Sequence, residues 1–387
     1  MLWRVNSLQE QFINGLSLVI FLVILIGFFV ISPLFIFIGL VYSVFLFLSH
    51  YYEKHIGEKL ILKNEKHKYR YFIGEEGEIV LHFKNEGLPI IAGKLNVFFK
   101  KNIQPKGAVD IEEESKVTVP ITFIKGGTYH VHLPVQMVKR GVGRIIKIQI
   151  QVTNLFGFSE LLLEFNEYWQ EEYIIYPKIT PISYFQLEPI LKEGNVHNRY
   201  SLFEERLHTI GSRDYLPGDS FNMVHWKASS KTNSLQTKVF EKTTNANLLI
   251  IINVSESYWW NEKIEEMISS VAYLIQEAVK NHIPVSLAAN IRFYGDFPFL
   301  YIPPGEGKAH FQKMLEMLAI LDTHQLILPH EEMLYYLYKK QISETYCVHA
   351  GLLSSTQEVL LRRLVSHNQK LYQLTIDIDH AMLVKIS

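Results

Sequence analysis

Between Glu10 and Glu53 the sequence holds no Asp, Glu, Lys or Arg, and Leu16 to Leu48 is almost wholly aliphatic or aromatic. As a single helix that stretch would measure about 50 Å, against a hydrocarbon core of about 30 Å. Ser32-Pro33 interrupts it near the middle, and proline cannot continue a regular helix without losing a hydrogen bond. The run therefore predicts two short spans joined by a tight turn, a transmembrane helical hairpin over residues 1–52. Lys54, Lys59, Lys63, Lys66 and Lys68 follow it and Arg4 precedes it, which by the positive-inside tendency predicts a two-span cell-membrane protein with both termini cytoplasmic. A cleaved signal peptide fits less well, because the apolar stretch is too long and lacks a basic start followed by a small-residue cleavage site. With no ionisable residue inside, the spans read as an anchor in the lipid bilayer rather than a transport path.

The 387 residues leave room for two or three domains, and a net charge of -1 gives no electrostatic argument for nucleic acid. The lone Cys347 rules out an internal disulfide framework, and its apolar neighbours Tyr346 and Val348 favour a buried structural thiol.

From residue 59 to 176 short alternating runs are punctuated by turn residues, as in Glu78 to Phe83, Lys116 to Ile124, Thr128 to Leu133 and Arg144 to Val152. This pattern predicts a β-sandwich-like domain of about seven antiparallel strands. His130 and His132 share one strand face at a spacing that suits a metal, but no third ligand is evident nearby. Asn154 to Phe158 reads as a turn. Residues 177–244 read as a connector, with Pro177, Pro181 and Pro189 and a charged end from Arg199 to His208.

Inside that connector the segment from Arg213 to Glu241 concentrates unusual chemistry. Pro217-Gly218 predicts a type II turn, since proline pre-sets the first central φ and glycine accepts the positive φ of the second. Asp219 or Ser220 is placed to cap a short helix with Phe221, Val224 and Ala228 on one face. Leu235 to Phe240 alternates as a strand.

Residues 245–387 alternate apolar runs with helical periodicity, which predicts a doubly wound α/β domain. Leu248 to Val254 reads as a central parallel strand, and Glu262 to Lys280 as the first helix. Further strands are expected at Ile283 to Ala289, Thr345 to His349 and Lys370 to Ile376, and helices at Gly307 to Leu321, Glu331 to Lys340 and Ser355 to His367. Ligands of such sheets gather at strand carboxyl ends. There Asn253, Ser255 and Ser257 suit either Mg²⁺ or an anion, or simply cap a helix. Tyr258-Trp259-Trp260 beside them would suit a partner surface if exposed and would anchor the first helix if buried. Pro303 to Lys308 is no Walker A loop, lacking the glycine spacing and the hydroxyl residue after Lys308.

Arg213-Asp214-Tyr215, Pro217-Gly218-Asp219, His225-Trp226-Lys227-Ala228-Ser229, Lys238 and Phe240-Glu241, set between a β region and an α/β region, resemble the bacterial domain of unknown function 58 family. The resemblance implies a membrane-anchored protein with a C-terminal domain similar to von Willebrand factor type A. It also implies a MoxR-type AAA+ ATPase as protein partner, and a transglutaminase-like membrane protein as another associate. No reaction is established for the family. The type A metal motif Asp-x-Ser-x-Ser is degenerate here: Asn253 stands where the Asp would be, and an amide offers a hard cation only a neutral oxygen. No cofactor is assigned on that basis.

Together these readings describe an anchored, non-enzymatic adaptor whose α/β domain binds protein partners. Two alternatives stand beside it. One is an enzyme of unknown reaction using Asp219, His225 and Lys227, with Asp214 and Ser229 near. The other is a structural clasp tying the β region to the α/β domain, in which Arg213 pairs with Asp219 or Glu241, Trp226 fills the seam and Lys238 reaches a strand-end carbonyl or carboxylate.

Overall fold

Alternation of apolar and polar residues builds the first of two units, Met1–Tyr176. The computed structural model describes residues 2–7, 19, 33–111, 114–153, 160–182, 184–185, 195–197, 204–245, 247–256, 259–322, 325–342, 344–365, 370–376 and 381–386. The strands of this unit are β1 (Trp3–Ser7), β2 (Leu60–Leu62), β3 (Lys68–Phe72), β4 (Glu76–Asn85), β5 (Ile90–Lys100), β6 (Ile103–Pro105), β7 (Val109–Ile111), β8 (Glu114–Phe123), β9 (Thr128–Met137), β10 (Gly141–Gly143), β11 (Ile145–Thr153), β12 (Glu160–Phe165) and β13 (Glu172–Tyr176). They form sheets of six strands (β1-β12-β11-β5-β8-β7), four (β2-β4-β9-β6) and three (β10-β13-β3). The expected single antiparallel pattern is broken in the last of these, where β3 and β13 pair in parallel. Ile79, Leu81 and Phe83 of β4 and Val131, Leu133 and Val135 of β9 turn into one apolar core. Period two sends the histidines of these strands outward, so His130 meets His82 (Nδ1 to Nδ1, 2.6 Å) and His132 meets Glu78 (3.2 Å). The Asn154 to Phe158 turn lies outside the described residues.

The membrane reading of the N-terminal segment is corrected by the structure. Strand β1 pairs antiparallel with β12, and Trp3, 1% exposed, donates its indole N–H to the Leu60 carbonyl at 2.8 Å. Helix α1 (Pro33–His55) ends in the same core, where Tyr52 is buried and donates its hydroxyl to the Pro89 carbonyl at 2.8 Å. Among the described residues no helix is long and apolar enough to cross a membrane. The hairpin over 1–52, the two-span topology, the bilayer as a partner and the cell-membrane localisation are therefore not supported. The first expected span, apart from Val19, lies outside the described residues.

The second unit, Pro177–Ser387, contains β14 (Tyr184–Phe185), β15 (Asn195–His197), β16 (Glu204–Asp214), α2 (Trp226–Thr232), β17 (Gln236–Asn245), β18 (Leu248–Ile252), β19 (Ser255–Glu256), β20 (Trp259–Trp260), α3 (Ile264–Lys280), β21 (Val285–Arg292), β22 (Phe299–Gly305), α4 (Gly307–Ile320), α5 (His330–Lys339), β23 (Tyr346–Ala350), α6 (Ser355–Leu364), β24 (Lys370–Ile376) and β25 (Ala381–Ile386). Its main sheet has seven strands in the order β14-β25-β24-β23-β18-β21-β22. The four central strands run parallel, and β22 and β25 are antiparallel to their inner neighbours. Every residue of β18 is 0% exposed, as a strand covered on both faces requires. From β18 the chain runs first to β21 on one side and later to β23 on the other, so the crevice outside the carboxyl ends of β18 and β23 is the topological switch point of the sheet. Part of the expected connector belongs to a second sheet of three strands, β15-β17-β16.

Candidate functional site

The segment between β16 and β17 is a turn tied down by one carboxylate. Leu216 to Asp219 closes with the Asp219 N–H donating to the Leu216 carbonyl at 3.0 Å, and Gly218 takes φ +113°, the left-handed conformation that favours glycine. Both Asp219 oxygens accept from the Arg213 guanidinium at 2.7 Å, a bidentate geometry. Oδ2 also accepts from the Leu216 N–H and the Thr237 hydroxyl, each at 3.0 Å. The Arg213 hydrogen bond, then those from the Leu216 backbone and Thr237, hold the Asp219 carboxyl well below the usual carboxylate range. Tyr215 donates its hydroxyl to the Asp219 carbonyl at 3.1 Å, and Gln236 donates its amide to Asp214 at 2.5 Å.

Asp219 is thus occupied, and the helix starts later than the periodicity suggests. Phe221–Met223 forms a 3₁₀ turn, and α2 begins at Trp226 with His225 as its cap. His225 Nδ1 accepts from the Ala228 N–H at 3.2 Å, the Ser229 hydroxyl donates to the His225 carbonyl at 3.0 Å, and Ser229 Oγ accepts from the Gln236 N–H at 2.9 Å. The groups considered for acid-base chemistry are therefore engaged in holding the loop, apart from the exposed Lys227. Trp226 is 63% exposed, and on the same segment Phe221 is 63% and Leu216 59% exposed. Trp226 fills no seam within its unit. Lys238 is half-buried on β17, and the side chain of Glu241 lies outside the described residues.

At the switch point Asn253 is 3% exposed and saturated. Its Oδ1 accepts from the Ser255 N–H at 3.2 Å, the Ser255 hydroxyl at 2.8 Å and Asn290 Nδ2 at 3.0 Å, while its own Nδ2 donates to the Leu352 carbonyl at 2.8 Å. Asn290, 0% exposed, completes the network by accepting from the Val254 N–H at 2.7 Å. Asn253 thus uses its amide at both ends, and the donation to Leu352 is one that a carboxylate cannot make. Ser257 and Tyr258 lie outside the described residues. Trp259 is 80% exposed, the arrangement that suits a partner surface.

The same edge holds a feature that the sequence did not reveal. A cleft of about 890 Å³ is lined by residues of the loop after β18, the start of α5 and the start of α6, among them Glu256, His330, Glu331 and Ser354. In its wall His330 is 2% exposed, and it abuts His349 of β23, 0% exposed, with Nε2 to Nε2 at 3.0 Å. Gln373 donates its amide nitrogen to the Gly351 carbonyl at 2.6 Å, so its oxygen faces His349 Nδ1 at 3.0 Å. These contacts assign the tautomers in turn. His349 carries its proton on Nδ1 and accepts at Nε2; His330 donates from Nε2 and keeps a bare lone pair on Nδ1, which is buried and unpartnered. Burial lowers His349 to about 4, against a smaller upward effect of Gln373. Burial and then His349 push His330 well below the ordinary histidine value, so both rings are neutral. The two histidines stand far apart in sequence with no motif between them; only the packing of α5 and β23 joins them.

Both sites fall within or near a stretch of family likeness. Residues 211–344 match the family described as "Protein of unknown function DUF58". The "Uncharacterized protein YeaD" of Bacillus subtilis (strain 168) is 27% identical over 184 residues, covering 47% of this chain and 43% of that protein. The chain therefore aligns with less than half the length of that relative. Among solved structures, a non-cellulosomal cohesin from Archaeoglobus fulgidus gives a TM-score of 0.19 at 11% identity, covering 30% of this chain and 91% of its own. The sporulation control protein Spo0M from Bacillus subtilis gives 0.16 at 14% identity, covering 36% and 57%. Likeness at that level carries no structural argument. The family match covers the Arg213–Asp219 turn and the strands β18, β21 and β22 of the seven-stranded sheet.

Proposed function

We propose that this chain is a protein-recognition module whose contact surface is the turn held by Arg213 and Asp219. The observation that carries this reading is the exposure of Leu216, Phe221 and Trp226, at 59%, 63% and 63%, on one short segment. Aromatic anchors of this kind dominate protein interfaces, and a segment already fixed by hydrogen bonds loses little conformational freedom when it docks. The engagement of Asp219, His225 and Ser229 in the loop's own bonds favours binding over the enzymatic alternative.

The test places a photo-crosslinking amino acid at Trp226 of the full chain in its native host, with a control at an exposed β-unit position such as Lys125. A discrete protein adduct at Trp226 that disappears in Phe221→Ala, with the thermal transition unchanged, is the expected result. Labelling no greater than at the control position would overturn the proposal.

A further inference from the structure

His82 of β4 stands directly opposite His130 of β9, 48 residues away in sequence. The His82 carbonyl accepts from the Lys63 N–H at 3.0 Å, on the β2 side of its strand. In an antiparallel ladder the N–H and C=O of one residue point to the same side, so toward β9 the His82–His130 pair exchanges no backbone hydrogen bond. Asn85 sets the same phase, since its N–H donates to the Gly127 carbonyl at 3.0 Å on the opposite side. Side chains approach most closely at such non-hydrogen-bonded pairs. Here the two Nδ1 atoms lie 2.6 Å apart, with ring centroids 4.7 Å apart and ring planes at 82°. Both side chains are exposed on the outer face of the sheet.

Two neutral imidazoles in this contact share one proton between their Nδ1 atoms, one ring donating and the other accepting. When the donor ring takes its other tautomer, that proton passes through solvent to its own Nε2 and none is released overall. Both Nδ1 lone pairs are then directed at the space between the rings, where a divalent cation fits. With metal–imidazole bonds of about 2.0–2.1 Å, the two nitrogens stand about 2.9 Å apart at a right angle and about 3.3 Å apart at the tetrahedral angle. The rings therefore have to part by less than about 1 Å, and exposed side chains do so without disturbing the core. Imidazole selects zinc- and copper-type ions over Mg²⁺ and Ca²⁺. The neighbours on this face are engaged elsewhere, Lys84 by Glu86 at 2.6 Å and His132 by Glu78 at 3.2 Å. Among the described residues no three His, Cys, Asp or Glu side chains cluster as a metal set, so the chain supplies two ligands and leaves the other positions to water.

We infer that His82 and His130 form a two-histidine site for a zinc- or copper-type divalent cation on the outer face of the β4–β9 pair. Spacing along one strand pointed to His130 with His132; the cross-strand register puts His82 in the place of His132. The site belongs to the first unit and does not rest on the Trp226 surface.

The test is calorimetric titration of the full chain, free of any polyhistidine tag, with Zn²⁺ and separately with Mg²⁺, below the thermal transition of each variant. Saturable binding of Zn²⁺ at equal stoichiometry, and none of Mg²⁺, is the expected result. His82→Gln and His130→Gln, both at exposed positions, should each weaken Zn²⁺ binding on the order of a hundredfold, because two ligands held at fixed spacing exceed either alone by about that factor. His132→Gln should leave binding unchanged. Zn²⁺ should also raise the thermal transition of the wild-type first unit and leave that of either pair variant where it was. Absence of saturable Zn²⁺ binding, equal binding of Mg²⁺, or binding undiminished in the two pair variants would overturn the site. A loss in His132→Gln as large as in His82→Gln would overturn the assignment of the ligands to this pair.

Discussion

His349 gives the clearest residue-scale consequence. Its folded-state value is lowered to about 4, against about 6.5 for an unperturbed histidine. Between those values the unfolded chain binds the proton and the folded one does not, so stability falls as pH is lowered through that window. The effect is fully absent above about pH 7 and levels off below about pH 4, and it amounts to about 3 kcal/mol. Replacing His349 with Gln, which cannot be protonated there, should make the pH 7 to 4 limb of a urea-denaturation series that reports the second unit shallower, with buried His330 supplying what remains. Asn253 makes a complementary case. Asn253→Asp loses the donation to the Leu352 carbonyl and sets a charge in a buried site. An expected loss of about 1–3 kcal/mol follows from an unmatched buried group. An acid whose folded value is raised gains stability as pH falls, so the deficit relative to wild type should shrink from pH 7 to pH 5 in the same series.

At the scale of elements, the close approach of β18 and β23 depends on Gly351. It has φ +114°, and a Cβ built there would lie 2.4 Å from the Asn253 carbonyl oxygen. Gly351→Ala is expected to lower the stability of the second unit by about 2 kcal/mol or more, from left-handed strain with a backbone clash added, measurable as a lower urea midpoint. The central strands and helices of this unit were legible in the sequence because a buried parallel strand is a continuous apolar run and an amphipathic helix repeats at 3.6. Its edges were not. Phe299–Gly305 contains Pro303-Pro304, which reads as a loop, whereas an edge strand tolerates proline where no ladder bond is required. The clasp was legible in its turn and in one of the two offered pairings, Arg213 with Asp219. A short helix does begin at Phe221 behind Ser220, but only as a 3₁₀ turn, and the α-helix starts at Trp226 with His225 as its cap. The His330–His349–Gln373 chain had no signal at all, since three elements separated in sequence meet there only through sheet order.

At the scale of the whole chain, the described part of the apolar run is helix α1, which leaves Leu34, Phe37, Leu40 and Phe47 59–69% exposed, and only the flanks of the run join a core. Trp3 and Tyr52, which flank that run, are built into the core of the β unit. Each unit has its own buried cluster, one in Met1–Tyr176 and another in Pro177–Ser387, which predicts two unfolding events rather than one. Probes native to the sequence separate them. Trp3 and Trp169, at 1% and 4% exposure, belong to the first unit, while Trp226 and Trp259 of the second are already largely exposed, and replacing the half-buried Trp260 with Phe leaves the tryptophan signal to the first unit. Cys347, the lone cysteine, is buried in β23 with its thiol pushed up to about 12 by burial, so it reacts only when the second unit opens. A urea titration read by tryptophan fluorescence and by thiol labelling should therefore give two different midpoints, and Gly351→Ala should move the thiol midpoint alone. Coincident midpoints that move together in that variant would show instead that the two cores unfold as one cooperative block.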